Sequence, residues 1–272
     1  MKITAAQVNE LRKKTGAGMM DCKKALVEAG GDFDAAIDLL RKQGQKVAAK
    51  RSDRDAAEGV IIGKVNGNKA VLLNLSCETD FVAKTDDFLA FANELLELAF
   101  NNNLTSPEAL VAATYNGTTV SEAIIELTGK TGEKIEVSGL GVVEADTVVA
   151  YTHPGNRVCS IVGLNKTGFE ELGRDVAMQA AAMAPVALNK ESVSEEVIAK
   201  EIEIGRDLAI QEGKPEAMAE KIAQGRLGKF FKENTLMEQA FIKDNKQSVA
   251  NYLKGADPEL TVTDFKRFSL GS

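Results

Sequence analysis

The chain has 272 residues, room for one large or two ordinary domains, and its 44% apolar and 27% charged residues are those of a globular protein rather than a disordered or fibrous one. Lys and Arg number 33 against 40 Asp and Glu, and the net charge of −7 argues against phosphate binding along the whole chain. Cys22, Cys77 and Cys159 are too few and too far apart for a disulfide framework or a zinc pattern, and the single histidine, His153, excludes multi-histidine metal and catalytic sites.

No apolar run is long enough to span a bilayer, and residues 1–14 lack the apolar centre of a signal peptide; the odd, widely spread cysteines suit a reducing cytoplasm, the expected setting. Charge is unevenly placed. Residues 1–54 hold 12 Lys or Arg against 7 Asp or Glu, a net +5, whereas the remainder holds 21 against 33, a net −12. This step predicts a boundary near residue 54 and a first segment suited to an acidic surface.

The first segment is predicted to form three short helices. Thr4 caps the first, with Ala5, Val8 and Leu11 as its buried stripe, and Thr15-Gly16-Ala17-Gly18 breaks it. The second places Met19, Cys22, Ala25, Leu26 and Ala29 on one face and stops at Gly30-Gly31. Asp32 caps the third, whose apolar face is Phe33, Ala36, Ile37 and Leu40, with Arg41 and Lys42 near its negative end. Residues 45–58 are polar and mixed in charge, in keeping with either a linker or an exposed helix.

From Gly59 the period becomes that of strands. Residues 60–65 and 70–75, separated by Asn66-Gly67-Asn68, are a hairpin signal. A helix follows, with Phe88, Phe91, Ala92, Leu95 and Ala99 on one side and Leu89, Leu96 and Phe100 on the other, so it is expected to be buried nearly all round; Asn101-Asn102-Asn103 ends it. Another helical stretch includes Ile124, Ile125 and Leu127. Strand-like residues 134–144 and 147–152 then lead through His153-Pro154-Gly155-Asn156 into 157–164 and a helix over about 169–184. Gly67-Asn68-Lys69 and Gly155-Asn156-Arg157 occupy corresponding places, which suggests a duplicated α/β unit.

A helical hairpin comes next. Ser192 with Glu195 fits a capping box, Ile198, Ile202, Gly205 and Ala209 form one stripe, and after Gly213-Lys214-Pro215 the stripe resumes at Met218, Ile222 and Gly225. Residues 229–272 return to mixed structure and finish with a strand-like stretch over 261–270.

Few motifs point to covalent chemistry. Gly129-Lys130-Thr131 looks like the end of a phosphate loop, yet Ile124 stands where the first glycine of that loop must be. Gly16-Ala17-Gly18 has Asp21 in place of a third glycine and no strand before it, so it is a turn. No carboxylate pair stands out as a general acid and base. Three candidates for partner contact remain. Met20 points roughly opposite the buried stripe, near Lys24, as a partner contact or an isolated surface residue. Arg12 borders its stripe, with its guanidinium either solvated or free for a partner carboxylate. In Cys77-Glu78-Thr79-Asp80-Phe81-Val82-Ala83-Lys84, Phe81 and Val82 can seal the entry of the next helix as a hydrophobic staple or stay free for a partner.

Thr15-Gly16-Ala17-Gly18-Met19-Met20-Asp21-Cys22-Lys23-Lys24-Ala25-Leu26 and the segment from Cys77 to Lys84 closely resemble the two signatures of the bacterial translation elongation factor Ts family. The similarity continues through Glu212-Gly213-Lys214-Pro215, Gly225-Arg226-Leu227, Gln239-Ala240-Phe241 and residues 264–268, in the family's order over nearly the whole chain. The resemblance implies an α+β fold with a small ubiquitin-associated-like helical domain, a core of two related antiparallel-sheet and helix halves, and a helical hairpin inserted in the second half. On this chain the segments are 1–54 for the helical domain with its linker, 55–140 for the first half, 141–187 with 229–272 for the second, and 188–228 for the hairpin.

It also implies a guanine-nucleotide exchange factor of the bacterial cytoplasm that binds GDP-loaded elongation factor Tu, disrupts its magnesium and phosphate contacts and lets GTP replace GDP. The residues matching Arg12, Met19 and Met20 would meet the partner's nucleotide-binding domain. Those matching Asp80 and Phe81 would reach its magnesium side, the phenylalanine wedged between two helices, and the match to His153 would help contact its third domain. Such a protein is not an enzyme and carries no cofactor or metal of its own, acting on the partner's Mg2+ and GDP. It contacts neither nucleic acid nor membrane, and its hairpin is where a homodimer or a 2:2 complex would form. Some family members add a C-terminal helix that touches the partner; with Leu270-Gly271-Ser272 last here, that contact is not expected. A non-catalytic cytoplasmic protein-binding adaptor is the competing reading, and a hydrolase ranks far behind both.

Overall fold

Thr4 opens the first helix through a reciprocal cap. In the computed structural model of the chain, which describes residues 3–271, the Gln7 N–H donates to the Thr4 hydroxyl at 3.3 Å and the Thr4 N–H donates to the Gln7 side chain at 2.9 Å. Met1, Lys2 and Ser272, the outer ends of the first and last expected segments, lie outside the described residues. The architecture is α+β and divides into two compact units. One holds residues 3–62, Leu73–Gly141 and 269–271; the other holds Gly63–Leu72 and Val142–Phe268.

In the first unit, α1 (Ala5–Thr15), α2 (Met19–Glu28) and α3 (Phe33–Arg51) pack around Val8, Leu11, Cys22, Ala25, Leu26 and Ala36. Asp32 caps α3 by accepting the Ala35 N–H at 2.9 Å. Two expectations fail at helix ends. Ala5 is exposed, and Met19 is 54% exposed. Both are first residues of their helices, and Cβ bonds tilt toward a helix's N-terminus, so these side chains lean past the core that the rest of the stripe covers. The third helix does not stop near Lys42 but runs on to Arg51, through the helix formers Lys46, Ala48, Ala49 and Lys50. Residues 45–51 are thus helix rather than linker.

β1 (Glu58–Asn66) and β2 (Lys69–Cys77) form the expected hairpin, with a two-residue turn at Gly67-Asn68. α4 (Asp80–Ala83) and α5 (Asp86–Asn101) follow. α5 is less buried than expected: Phe88, Phe91, Ala92, Leu95, Leu96 and Ala99 are inside, but Ala90, Asn93, Glu94 and Glu97 form a solvated face. α6 (Pro107–Ala112), the small hairpin of β3 (Thr114–Tyr115) and β4 (Thr118–Thr119), and α7 (Val120–Thr131) come next; of these only α7 had a periodic apolar signal. β5 (Ile135–Glu144) then pairs beside β2, giving the sheet order β1-β2-β5. As the middle strand, β2 is buried along nearly its whole length.

The second unit repeats this topology. β6 (Thr147–Thr152) and β7 (Val158–Leu164) are an antiparallel hairpin in which Thr147 faces Leu164 and Thr152 faces Cys159, followed by α8 (Glu170–Met183). α9 (Glu195–Gln211) and α10 (Glu216–Asn234) make the helical hairpin, reached through a short 3-10 turn at Lys190–Ser192. β8 (Ala240–Phe241), β9 (Asp244–Ser248) and α11 (Val249–Ala256) precede β10 (Val262–Ser269), which lies beside β7 in the order β10-β7-β6. Hairpin, helix, then a third strand beside the hairpin's second strand is the plan of both sheets, which is what the repeated Gly-Asn turns suggested. The core of this unit gathers Val162, Leu164, Val176, Leu236, Phe241 and Leu253, with Phe241 stacked on Tyr252 at 4.1 Å between ring centroids.

The hairpin corrects two expectations. The cap of α9 is Ser194, which accepts the Val197 N–H at 3.3 Å; Ser192 instead donates its hydroxyl to Asn189 at 2.7 Å. On α10 the buried stripe is Ala219, Ala223 and Leu227, one to two residues on from that expected, and Met218 and Gly225 are exposed. The helices approach so closely that a Cβ on Gly205 would sit 3.2 Å from Ala223 Cα. Such contact selects small side chains, and methionine is turned outward.

Candidate functional site

The segment after β2 is shaped by its capping threonines. Thr79, two residues beyond the end of β2, has an extended backbone, φ −129°, and its hydroxyl accepts the Val82 N–H at 3.5 Å, which starts α4. Thr85 stops α4 by donating its hydroxyl to the Val82 carbonyl at 2.8 Å, and it starts α5 by accepting the Phe88 N–H at 3.4 Å. Between these two caps lies a single turn. Ala83 faces inward, Val82 is half-buried, and Phe81 is 80% exposed. The ring therefore does not staple the helix entry. Asp80, beside it, pairs with Lys84 at 2.5 Å, one turn along.

The turn is held from beneath by carboxylates. Thr79 donates its N–H to one Glu133 oxygen at 3.0 Å and its hydroxyl to the other at 2.7 Å. Glu78 accepts the Arg51 guanidinium at 2.8 Å and the Lys134 N–H at 2.7 Å. The Cys77 thiol is buried and donates to the Thr79 carbonyl at 3.2 Å; burial, with the nearby Glu133 charge second, pushes its pKa up to about 12. A thiol kept neutral in this way is packing rather than a nucleophile.

The second part of the site is the α1–α2 edge. Gly16 ends α1 in the left-handed region, φ +65°, its N–H donating to the Arg12 carbonyl at 2.7 Å. Arg12 is exposed, and among the described residues no carboxylate pairs with it. Met19 and Met20, 54% and 61% exposed, project from the first turn of α2. Arg12 and Met19 line one open cleft of about 400 Å³ together with Thr85, Asp87 and Lys130. The fold thus draws the bundle edge to the residue that directly follows the Phe81 turn, although the two motifs are some sixty positions apart.

His153 belongs to the second unit. It is exposed in the β6–β7 turn, its N–H donating to the Val158 carbonyl at 2.9 Å and its Nδ1 hydrogen-bonded with the Tyr151 hydroxyl at 3.0 Å. Among the described residues no three His, Cys, Asp or Glu side chains converge as a metal-binding group, and no helix is long and apolar enough to cross a membrane. Sequence reasoning passed over Thr79, Glu133 and Gly129, whose roles depend on neighbours distant along the chain. Gly129 left a trace in the Gly129-Lys130-Thr131 motif that failed as a phosphate loop, and Thr79 lay inside the Cys77 to Lys84 motif without being singled out.

Residues 78–272 match the family described as Elongation factor TS. A protein of Christiangramia forsetii named Elongation factor Ts is 57% identical, the alignment covering 99% of each chain. Its namesake in Flavobacterium psychrophilum is 53% identical over 99% of each, and one in Porphyromonas gingivalis is 42% identical over 100% of each. With both motif segments inside these full-length alignments, the chain belongs to the elongation factor Ts family.

Proposed function

We propose that this translation elongation factor is a guanine-nucleotide exchange factor for elongation factor Tu. It binds the GDP-loaded partner, loosens the magnesium and phosphate contacts, and releases GDP so that GTP can bind. The observation that carries this reading is Phe81, an aromatic ring 80% exposed on a turn braced at both ends. Fully burying a phenylalanine side chain is worth about 1.5–3 kcal/mol. If the ring finds its pocket only in the nucleotide-free conformation of the partner, that energy biases the partner toward the empty state. By linkage, the factor by which GDP weakens the protein pair is the factor by which the chain weakens GDP binding.

The other residues fit supporting roles. Arg12, Met19 and Met20 offer a cationic and apolar edge to the partner's nucleotide-binding domain, and the +5 charge of residues 1–54 favours an acidic surface. Asp80 accompanies Phe81 toward the magnesium side, and His153 supplies a contact from the second unit to the partner's third domain. The chain makes and breaks no covalent bond in this scheme; the Mg2+ and the GDP are the partner's, and the setting is the bacterial cytoplasm. The hairpin exposes Ile204, Leu208, Ile210 and Met218, a surface through which a homodimer or a 2:2 complex would form.

Release of fluorescent GDP from purified elongation factor Tu tests the proposal. An exchange factor accelerates release at substoichiometric amounts. Binding without acceleration would instead leave the adaptor reading, and release of phosphate would point to a hydrolase.

A further inference from the structure

Residues 129–134, Gly-Lys-Thr-Gly-Glu-Lys, touch each part of the candidate site that lies in the first unit. A Cβ on Gly129 would stand 2.7 Å from the Gly44 Cα, so α7 and α3 cross with backbone nearly against backbone, and no larger residue fits without parting them. Lys130 lies across the Gly16 turn, its Cε 2.6 Å from where a Gly16 Cβ would be, and its ammonium pairs with Asp87 at the start of α5. Glu133 takes both protons of Thr79, and the Lys134 N–H donates to Glu78. One end of this stretch locates the helical bundle, and the other locates the Phe81 turn.

We infer that residues 129–134 are a bracket that sets the Met19–Met20 edge and the Phe81 ring in their working positions, with Glu133 the positioning residue for the ring and Gly129 that for the bundle. The inference rests on the exchange-factor reading above. Its chemistry is specific at Glu133. The Thr79 hydroxyl has one proton, given to Glu133, which leaves a lone pair facing the Val82 N–H; this orients the hydroxyl as the cap of α4. Without the carboxylate the hydroxyl can turn, the one-turn helix loses its defined start, and Phe81 samples many directions. Ordering the ring must then be supplied in the nucleotide-releasing state, where it enters the partner, and not at the first encounter.

The two ends of the bracket therefore fail differently. Glu133→Ala lowers the maximal rate of GDP release about tenfold, because the ring is no longer held in one direction, while the half-saturating concentration changes little. Glu133→Gln keeps one acceptor and falls between. Gly129→Val parts α3 from α7, raises the half-saturating concentration and leaves the maximal rate near that of the unaltered protein. In a Phe81→Ala background, Glu133→Ala has no further effect on the maximal rate, because it acts through the ring.

The experiment is a titration of fluorescent-GDP-loaded elongation factor Tu with the full chain and these variants, alongside thermal unfolding. Full rates for Glu133→Ala with a slow Phe81→Ala would overturn the bracket and leave the exchange reading standing. Additive losses in the double variant would also overturn it, as would loss of cooperative unfolding in both Glu133 variants, which would make Glu133 a residue that holds the fold. No acceleration by the unaltered chain would instead overturn the exchange reading itself.

Discussion

The Arg51 guanidinium meets the Glu78 carboxylate at 2.8 Å, joining the last turn of α3 to the residue two places ahead of α4. Glu78 is the more buried partner, its side chain 15% exposed against 36% for Arg51, and it also accepts the Lys134 N–H. Because Glu78 keeps that second bond, Arg51→Ala is expected to cost about 1 kcal/mol rather than the larger penalty of stranding a buried charge. Urea unfolding measures it. A loss above about 3 kcal/mol would mean that the pair is a principal fastening of the unit.

Phe81→Ala is expected to leave unfolding within about 0.5 kcal/mol of the unaltered chain, since an exposed ring contributes little packing. GDP release should slow by about tenfold or more, the equivalent of 1.5–3 kcal/mol of lost burial in the partner. Unfolding of the variant would show that the ring supports its own chain.

Met20→Ala should weaken association with elongation factor Tu while the melting temperature holds, because the side chain is 61% exposed. Calorimetric titration at two salt concentrations separates its apolar share from the charge-dependent share of residues 1–54. Unchanged affinity would remove Met20 from the contact.

Alkaline pH should destabilise the protein. Burial raises the Cys77 thiol from an ordinary 9.0 to about 12, and burial together with the bond to Asp175 raises the Tyr252 phenol from 10.0 to about 12. Above pH 9 the unfolded chain therefore sheds these protons first, and the native state binds more of them. Their stabilising contribution is complete below pH 9 and is lost as pH rises toward 12. Urea midpoints from pH 8 upward measure the decline, and Cys77→Ala should make it shallower. A rising midpoint over that window would contradict the assignment.

Ser194→Ala should fray the first turn of α9 at a cost of about 1 kcal/mol, visible as faster amide exchange at Val197. Ser192→Ala should leave Val197 unaffected, since Ser192 bonds to Asn189. Equal effects from the two would restore the sequence-based choice of cap.

Interactions within a few residues were legible before any coordinates. Thr4 and Asp32 cap their helices, Gly16 ends α1, and the two Gly-Asn turns sit in two hairpins of like topology. The paired motifs around Met19–Met20 and Phe81 were legible too, because both are contiguous strings. Periodicity misled where a helix end or a neighbour decides burial: Met19 leans off the end of its helix, and Met218 yields to Ala219 because α9 lies too close for a long side chain.

What tertiary structure alone decided is how those strings are aimed. Thr79 and Glu133 are 54 residues apart, and Gly44 and Gly129 are 85 apart, so no local pattern marks either pair. Caps, turns and stripes come from forces between residues adjacent along the backbone, which a linear sequence records directly. The exposure of Phe81 and the bracing of its turn come from side chains that meet only once the sheet and helices have packed, and that meeting is a property of three dimensions.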